Sequence, residues 1–304
     1  MNINPNDVLT TKFFEYAKLM AKHSKMNEDT RITPDNVYQE AYKTNRKLLF
    51  ECMKMGHLPG SAVLGMENVL KLYQLAQEGR SCIILSEHVS NLDVPSLFLR
   101  FYEYELDIAK EIFEKFIFIA GVKLNENPIV KIFTEMFTRI VIVPPRTTKK
   151  MEGNEQFSKE LDFAKKINLR SARKIMELKD KGNIFIMYPS GTRYRPWNPD
   201  SKKGIKETMG YLNYFDYFCC CSINGNNMPP REHEDMTKEP FIKDALVFNF
   251  GEVKNAKDYI DSILTDNDVN QEDKELVKQY TVDKVMEEID VLHNEAEKYR
   301  IKFI

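Results

Sequence analysis

Six short runs of this chain are apolar at most of their positions: SCIILS (81–86), FIFIA (116–120), RIVIV (139–143), NIFIMY (183–188), YFCCCSI (217–223) and ALVFNF (245–250). A strand with one face in water alternates apolar and polar residues, so near-continuous apolarity over five or six residues marks strands covered on both faces. Helical patterns at 94–104, 128–136 and 168–179 fall between these runs, and 273–302 reads as a long amphipathic helix. Strands separated by helices build crossover units, which places the chain in the α/β class, with a mixed, mostly parallel sheet covered by helices. Its 304 residues, 42% of them hydrophobic, suffice for such a core.

Ahead of the first run lie three further helical patterns, at 8–22, 34–55 and 66–77, with Pro34 suited to a first helical turn and Gly79 to a stop. A soft boundary there divides a small helical domain, 1–79, from an α/β domain, 80–304. No internal repeat or low-complexity segment is present, and DNDVNQEDKE (266–275) reads as a solvated acidic connector.

Forty-four Lys and Arg nearly balance 46 Asp and Glu, a net charge of −2 that excludes nucleic-acid binding through overall charge and makes any anion site local. The five cysteines, three of them adjacent at Cys219, Cys220 and Cys221, lack a disulfide spacing and fit a reducing compartment. The first residues, MNINPNDVLTTKFFEY, resemble neither a signal nor a transit peptide. The longest apolar runs fall short of the roughly 18 to 20 residues of a spanning helix. The expectation is a soluble, cytoplasmic protein that can still touch a membrane surface transiently.

Three constellations carry chemistry. In the first, the run at 81–86 leads into EHVSNLD, which sets His88 at a strand end and Asp93 five residues on, with Ser90 or Asn91 able to cap the next helix. Open α/β sheets put ligands at strand ends. A histidine there can take a proton from an alcohol if a carboxylate holds one ring nitrogen and stabilises the imidazolium, as in two thirds of a catalytic triad with the substrate's own oxygen in place of the serine. The plainer alternative is a hydrogen-bonded histidine and an aspartate serving the helix dipole.

In the second, NIFIMY runs into PSGTRYRPWNP, where Pro189 and Gly191 force a turn and Arg193 and Arg195 follow. Arginine forks and exposed turn amides suit a phosphate; the alternative is a surface pair neutralised by Asp200 or Glu207. The third, RIVIVPPRTTKK, places Arg146, Lys149 and Lys150 after a strand, Arg146 nearest its end. A serine hydrolase built on Ser190 would want a leading Gly that YPSGT lacks. A zinc site would want clustered ligands, whereas His23, His57, His233 and His293 are scattered. A phospho-ligand-binding protein with a structural His88 is the non-enzymatic alternative, separated from an enzyme by thioester turnover.

Taken in order, these pieces resemble the glycerolipid acyltransferases, whose first motif is His, four residues, Asp; here it is HVSNLD. IFIAGVKLNENPIVKIF, NLRSARKIM, YPSGTRYRP and INGNNMPP are similar to the soluble glycerol-3-phosphate acyltransferases of the plastid type, from residue 81 to the C-terminus. The resemblance implies that His88 is the general base and Asp93 its orienting partner. It implies that Arg193 and Arg195 hold the substrate phosphate, with Arg146 and Lys149 competing for a further basic position and Ser190, Gly191 and Thr192 forming the binding loop. Ser190 stands where the membrane-bound branch favours a carboxylate, and Thr192 where the plastid type favours a second Gly.

The implied reaction moves a fatty acyl group from acyl carrier protein or coenzyme A to the sn-1 hydroxyl of glycerol-3-phosphate. His88 removes the proton, backbone amides near Leu92 hold the oxyanion, and neither acyl-enzyme, cofactor nor metal takes part. Lysophosphatidate is the alternative acceptor. KKINLRSARK (165–174) is a candidate surface for an acidic carrier protein, and RTTKK and KDKGN for an anionic membrane.

Overall fold

The structure, a computed structural model, describes residues 5–25, 31–125, 127–153, 155–232, 239–265 and 272–304. Helix α1 (Pro5–Ala21), strand β1 (Tyr38–Gln39), α2 (Arg46–Gly56), β2 (Ala62–Leu64) and α3 (Met66–Gln77) come first. Next are β3 (Cys82–Ser86), α4 (Asp93–Tyr102), α5 (Ile108–Glu114), β4 (Phe116–Gly121), α6 (Pro128–Thr134), β5 (Arg139–Ile142) and α7 (Pro145–Met151). The chain continues through α8 (Ser158–Leu178), β6 (Ile184–Met187), α9 (Thr208–Leu212), β7 (Tyr217–Asn224), β8 (Val247–Phe250), β9 (Lys254–Asn255), α10 (Ala256–Leu264) and α11 (Lys274–Arg300).

The described strands form one nine-stranded sheet in the order β1-β5-β4-β6-β3-β7-β8-β2, with β9 beside β7. Its centre is parallel: β5–β4–β6–β3–β7 all run one way, so their C-terminal ends share one edge. Only β1–β5, β7–β8 and β7–β9 pair antiparallel. All six expected strands form, each within two residues of its expected ends, because two-sided burial is written directly into their composition.

Successive residues of a strand face opposite ways, which gives every apolar residue of these runs a core to enter. Ile84, Ile186, Phe118, Cys219 and Cys221 pack toward α1–α6, while Ile83, Leu85, Phe185, Phe218 and Cys220 pack toward α8–α11. The three adjacent cysteines thus alternate between two cores. They are free and buried, and burial pushes their thiols well above the usual range, which keeps them protonated and inert.

The sequence patterns fail where long-range pairing overrides them. The helix expected over 34–55 starts only at Arg46, because Tyr38 and Gln39 instead pair with Ile140 and Arg139 at the edge of the sheet. The basic segment after β5 coils into α7, Pro145 supplying the fixed backbone angle of a first helical turn. α8 begins ten residues earlier than its clearest pattern. From the first 79 residues, β1 and β2 join opposite edges of the sheet, and Phe13, Met20, Leu49 and Leu72 enter the same core as Ile84 and Phe250. Part of the acidic connector, 266–271, and His233 lie outside the described residues.

Candidate active site

β3 delivers His88 to the C-terminal edge of the parallel strands, with the Glu87 N–H still donating to the Cys221 carbonyl at 2.8 Å. Neither Ser90 nor Asn91 caps the helix that follows: Leu92 holds the cap position without a side-chain bond. Asp93, at the helix start, turns back instead, and its Oδ2 accepts the backbone N–H of Val89 at 2.9 Å and of Ser90 at 3.1 Å. A carboxylate is the stronger acceptor for these amides, and the Ser90 hydroxyl is left to accept from the Leu92 N–H at 3.2 Å.

The same Oδ2 lies 2.7 Å from His88 Nδ1. Asp93 is 3% exposed, so three donors converge on a buried charge, while His88 keeps a side-chain exposure of 20%. With Nδ1–H directed at the carboxylate, Nε2 is the nitrogen free to accept a substrate proton.

β6 brings in the second piece. Gly191 adopts φ +63°, the left-handed conformation the turn requires, and Ser190 Oγ donates to the Thr192 carbonyl at 2.7 Å. No described residue other than glycine has positive φ, so Thr192 sits in ordinary backbone and the turn needs no second glycine. The base of the loop is closed by Ile205 N–H and Thr208 Oγ1 donating to the Pro189 carbonyl. Its far side is stitched to the dyad: Tyr194 N–H donates to the His88 carbonyl at 2.8 Å.

The two arginines of this loop part company. Both terminal nitrogens of Arg193 bond the carboxylate of Glu239 at 2.9 Å, and Glu239 is 1% exposed and also accepts from Asn91 Nδ2 at 3.3 Å. Asp200 and Glu207 pair instead with Lys203 and Lys149. Among the described residues the Arg195 side chain makes no hydrogen bond or ion pair, while its backbone N–H donates to Ser201 Oγ at 2.8 Å. Arg146 is exposed at the first turn of α7 and, after Lys203, helps hold the Asp200 carboxyl below its usual range. Among the described residues, then, Arg146 and Arg195 are the guanidinium groups of the two loops without a hydrogen bond or ion pair of their own, while Lys149 pairs with Glu207.

Two of the remaining motifs brace the site. Asn168 in NLRSARKIM accepts from Val143 N–H at 2.8 Å and donates to its carbonyl at 3.0 Å, and Ser171 donates to the Val141 carbonyl, fixing the end of β5 that leads to Arg146. In INGNNMPP, Asn226 Nδ2 donates to the Val89 carbonyl at 2.9 Å, gripping the dyad loop from another side. A cavity of about 10 Å³ lies between α4 and the sheet beside Asp93, lined mainly by Ile84, Leu97, Tyr188, Ile223, Phe248 and Phe250.

Three partners escaped the sequence. Glu239 and the Glu87–His293 contact, 2.8 Å, are set by approaches between distant segments and leave no local signal. Tyr188 closes an expected strand, and an aromatic residue at a strand end beside a turn was the signal that could have found it. Its ring stacks on the His88 imidazole with centroids 4.0 Å apart and planes at 12°.

A histidine oriented by a buried carboxylate, beside a turn carrying a free arginine, is the kind of site that activates a hydroxyl and holds an anion. The chain belongs to the acyltransferase family: the family model described as Acyltransferase matches residues 62–217, a span that contains both His88 and the arginine loop. It is also similar to the 1-acyl-sn-glycerophosphate (LPA) acyltransferase PlsC from Thermotoga maritima, at 16% identity and a TM-score of 0.45 over 94% of this chain and 95% of that one. No curated protein matches the chain. Among the described residues no helix is long and apolar enough to cross a membrane.

Proposed function

We propose that this acyltransferase moves a fatty acyl group from a thioester, carried by acyl carrier protein or coenzyme A, to the sn-1 hydroxyl of glycerol-3-phosphate. The observation that carries the reading is the hydrogen-bonded dyad whose Nε2 is left free, stitched by one backbone bond to the loop bearing the unengaged Arg195. His88 takes the hydroxyl proton as the oxygen attacks the thioester carbonyl, Asp93 stabilises the imidazolium, and the tetrahedral intermediate expels the thiol as His88 returns the proton. The phosphate is tethered by Arg195 with Arg146, so binding energy remote from the reacting atoms positions the hydroxyl; Arg193 would have to leave Glu239 to share in this. The Val89 and Ser90 amides are committed to Asp93 and the Leu92 amide to Ser90 Oγ, which leaves the Asn91 N–H as one loop amide available to an oxyanion.

The test offers glycerol-3-phosphate and lysophosphatidate as acceptors against palmitoyl-coenzyme A and palmitoyl-acyl carrier protein as donors. Glycerol-3-phosphate is expected to be the better acceptor, and His88→Ala to lose at least about a thousandfold in turnover. Preference for lysophosphatidate would reassign the acceptor; near-normal turnover in His88→Ala would remove the dyad from the chemistry.

A further inference from the structure

The face of the His88 ring is covered, and what covers it is an aromatic ring. Tyr188 lies parallel to the imidazole at a centroid distance of 4.0 Å, within the range at which a π face attracts a cation. Burial, with Asp93 and Cys221 nearby, holds the phenol well above its usual value, so the ring stays neutral. Asp93 fixes the imidazole through one nitrogen only, which leaves it free to swing about the line from Nδ1 to Oδ2; a flat surface against the ring removes that freedom. We infer that Tyr188 is a positioning residue of acyl transfer: its ring holds the His88 imidazole in the plane that presents Nε2 to the acceptor hydroxyl, and its π face favours the imidazolium that forms when the proton is taken.

The inference rests on the acyltransferase reading and adds to it a group that acts through His88. The other titratable and charged groups around the dyad are Asp93 on α4, Cys221 on β7, Arg193 with Glu239, and Glu87, which His293 of α11 and Lys202 face. The hydroxyl of Tyr188 makes no hydrogen bond among the described residues, and Tyr188→Phe leaves every one of these groups its ring neighbour, so the contrast between Phe and Leu at this position isolates the ring.

Wild type, Tyr188→Phe, Tyr188→Leu and His88→Ala are compared for acyl transfer from palmitoyl-coenzyme A over about pH 5.5 to 9, with thermal unfolding as the check on folding. Tyr188→Phe keeps turnover and the pH midpoint of its acidic limb. Tyr188→Leu loses about 5- to 30-fold in kcat, the scale of a desolvated cation–π contact, leaves the acceptor KM within about twofold, and moves the midpoint to lower pH because the imidazolium has lost support. Should Tyr188→Leu not fold, incorporation of ring-fluorinated phenylalanine at the same position preserves shape while draining the π face, and turnover and midpoint fall with each fluorine. Wild-type kcat and midpoint in Tyr188→Leu, insensitivity to fluorination, or a Phe variant as poor as Leu would overturn the inference. Activity surviving in His88→Ala would instead overturn the catalytic reading beneath it.

Discussion

Arg193 and Arg195 stand two residues apart on one loop and meet different surroundings. A bidentate bond to a carboxylate that is 1% exposed makes Arg193 part of the scaffold, since Glu239 cannot lose its partner without stranding a buried charge. Arg195 has no such commitment. Arg193→Ala is therefore expected to lower stability by about 3–5 kcal/mol in chemical denaturation. Arg195→Ala is expected to leave stability near wild type while weakening glycerol-3-phosphate binding by about 1.5–3 kcal/mol, the scale of a lost hydrogen bond to a charged group. Glycerol, which lacks the phosphate, should not distinguish Arg195→Ala from wild type. Equal losses of phosphate binding in both variants, with stability unchanged, would return the two arginines to one shared site.

At the scale of elements, α11 closes one face of the sheet, burying Val282, Val285 and Ile289, and Gly204 lets the end of the arginine loop lie against it, since a Cβ there would sit 2.4 Å from Val282 Cγ1. The helix is also tied electrostatically to the residue beside the dyad. His293 bonds Glu87, which is itself held by the Ile223 N–H at 3.1 Å, and this hydrogen bond, ahead of the opposing burial, raises the His293 pKa above 6.5. A raised folded-state pKa means that the charged pair's stabilisation is fully present below the unfolded value of about 6.5 and is lost as pH rises through the folded value. Denaturation midpoints measured from about pH 5.5 to 8.5 should thus fall across the upper part of that window in the wild type, and that component should vanish in His293→Gln. Identical pH dependence in both proteins would show that the contact contributes nothing.

On the scale of the whole molecule, sheet polarity separates the two basic loops expected to meet a membrane. RTTKK follows the C-terminal end of β5, on the edge that carries His88, whereas KDKGN leads into the N-terminal end of β6, which runs parallel to β5 through β4. The two loops thus lie at opposite ends of the parallel strands, and we propose the edge with RTTKK, which also carries His88, as the side on which a lipid product is released. Each well-placed basic residue there should contribute about 1 kcal/mol toward anionic vesicles, fading with salt. In vesicle sedimentation, Lys150→Glu should weaken association and Lys181→Glu should not; equal binding to neutral vesicles would remove electrostatic docking altogether. The sequence by itself determined the covered sheet, through runs whose composition needs two cores, and the His88–Asp93 pair, whose members are close enough in the chain to meet across one tight loop. NLRSARKIM and INGNNMPP were recognisable as strings, but their work of pinning Val143 and Val89 was not. Only the tertiary structure decided that Arg193 belongs to Glu239, that Tyr38 is a strand residue, and that His293 reaches Glu87 across 206 positions. Such contacts depend on where the crossovers return the chain, and that geometry is a property of the packed sheet and helices together, absent from any local stretch of residues.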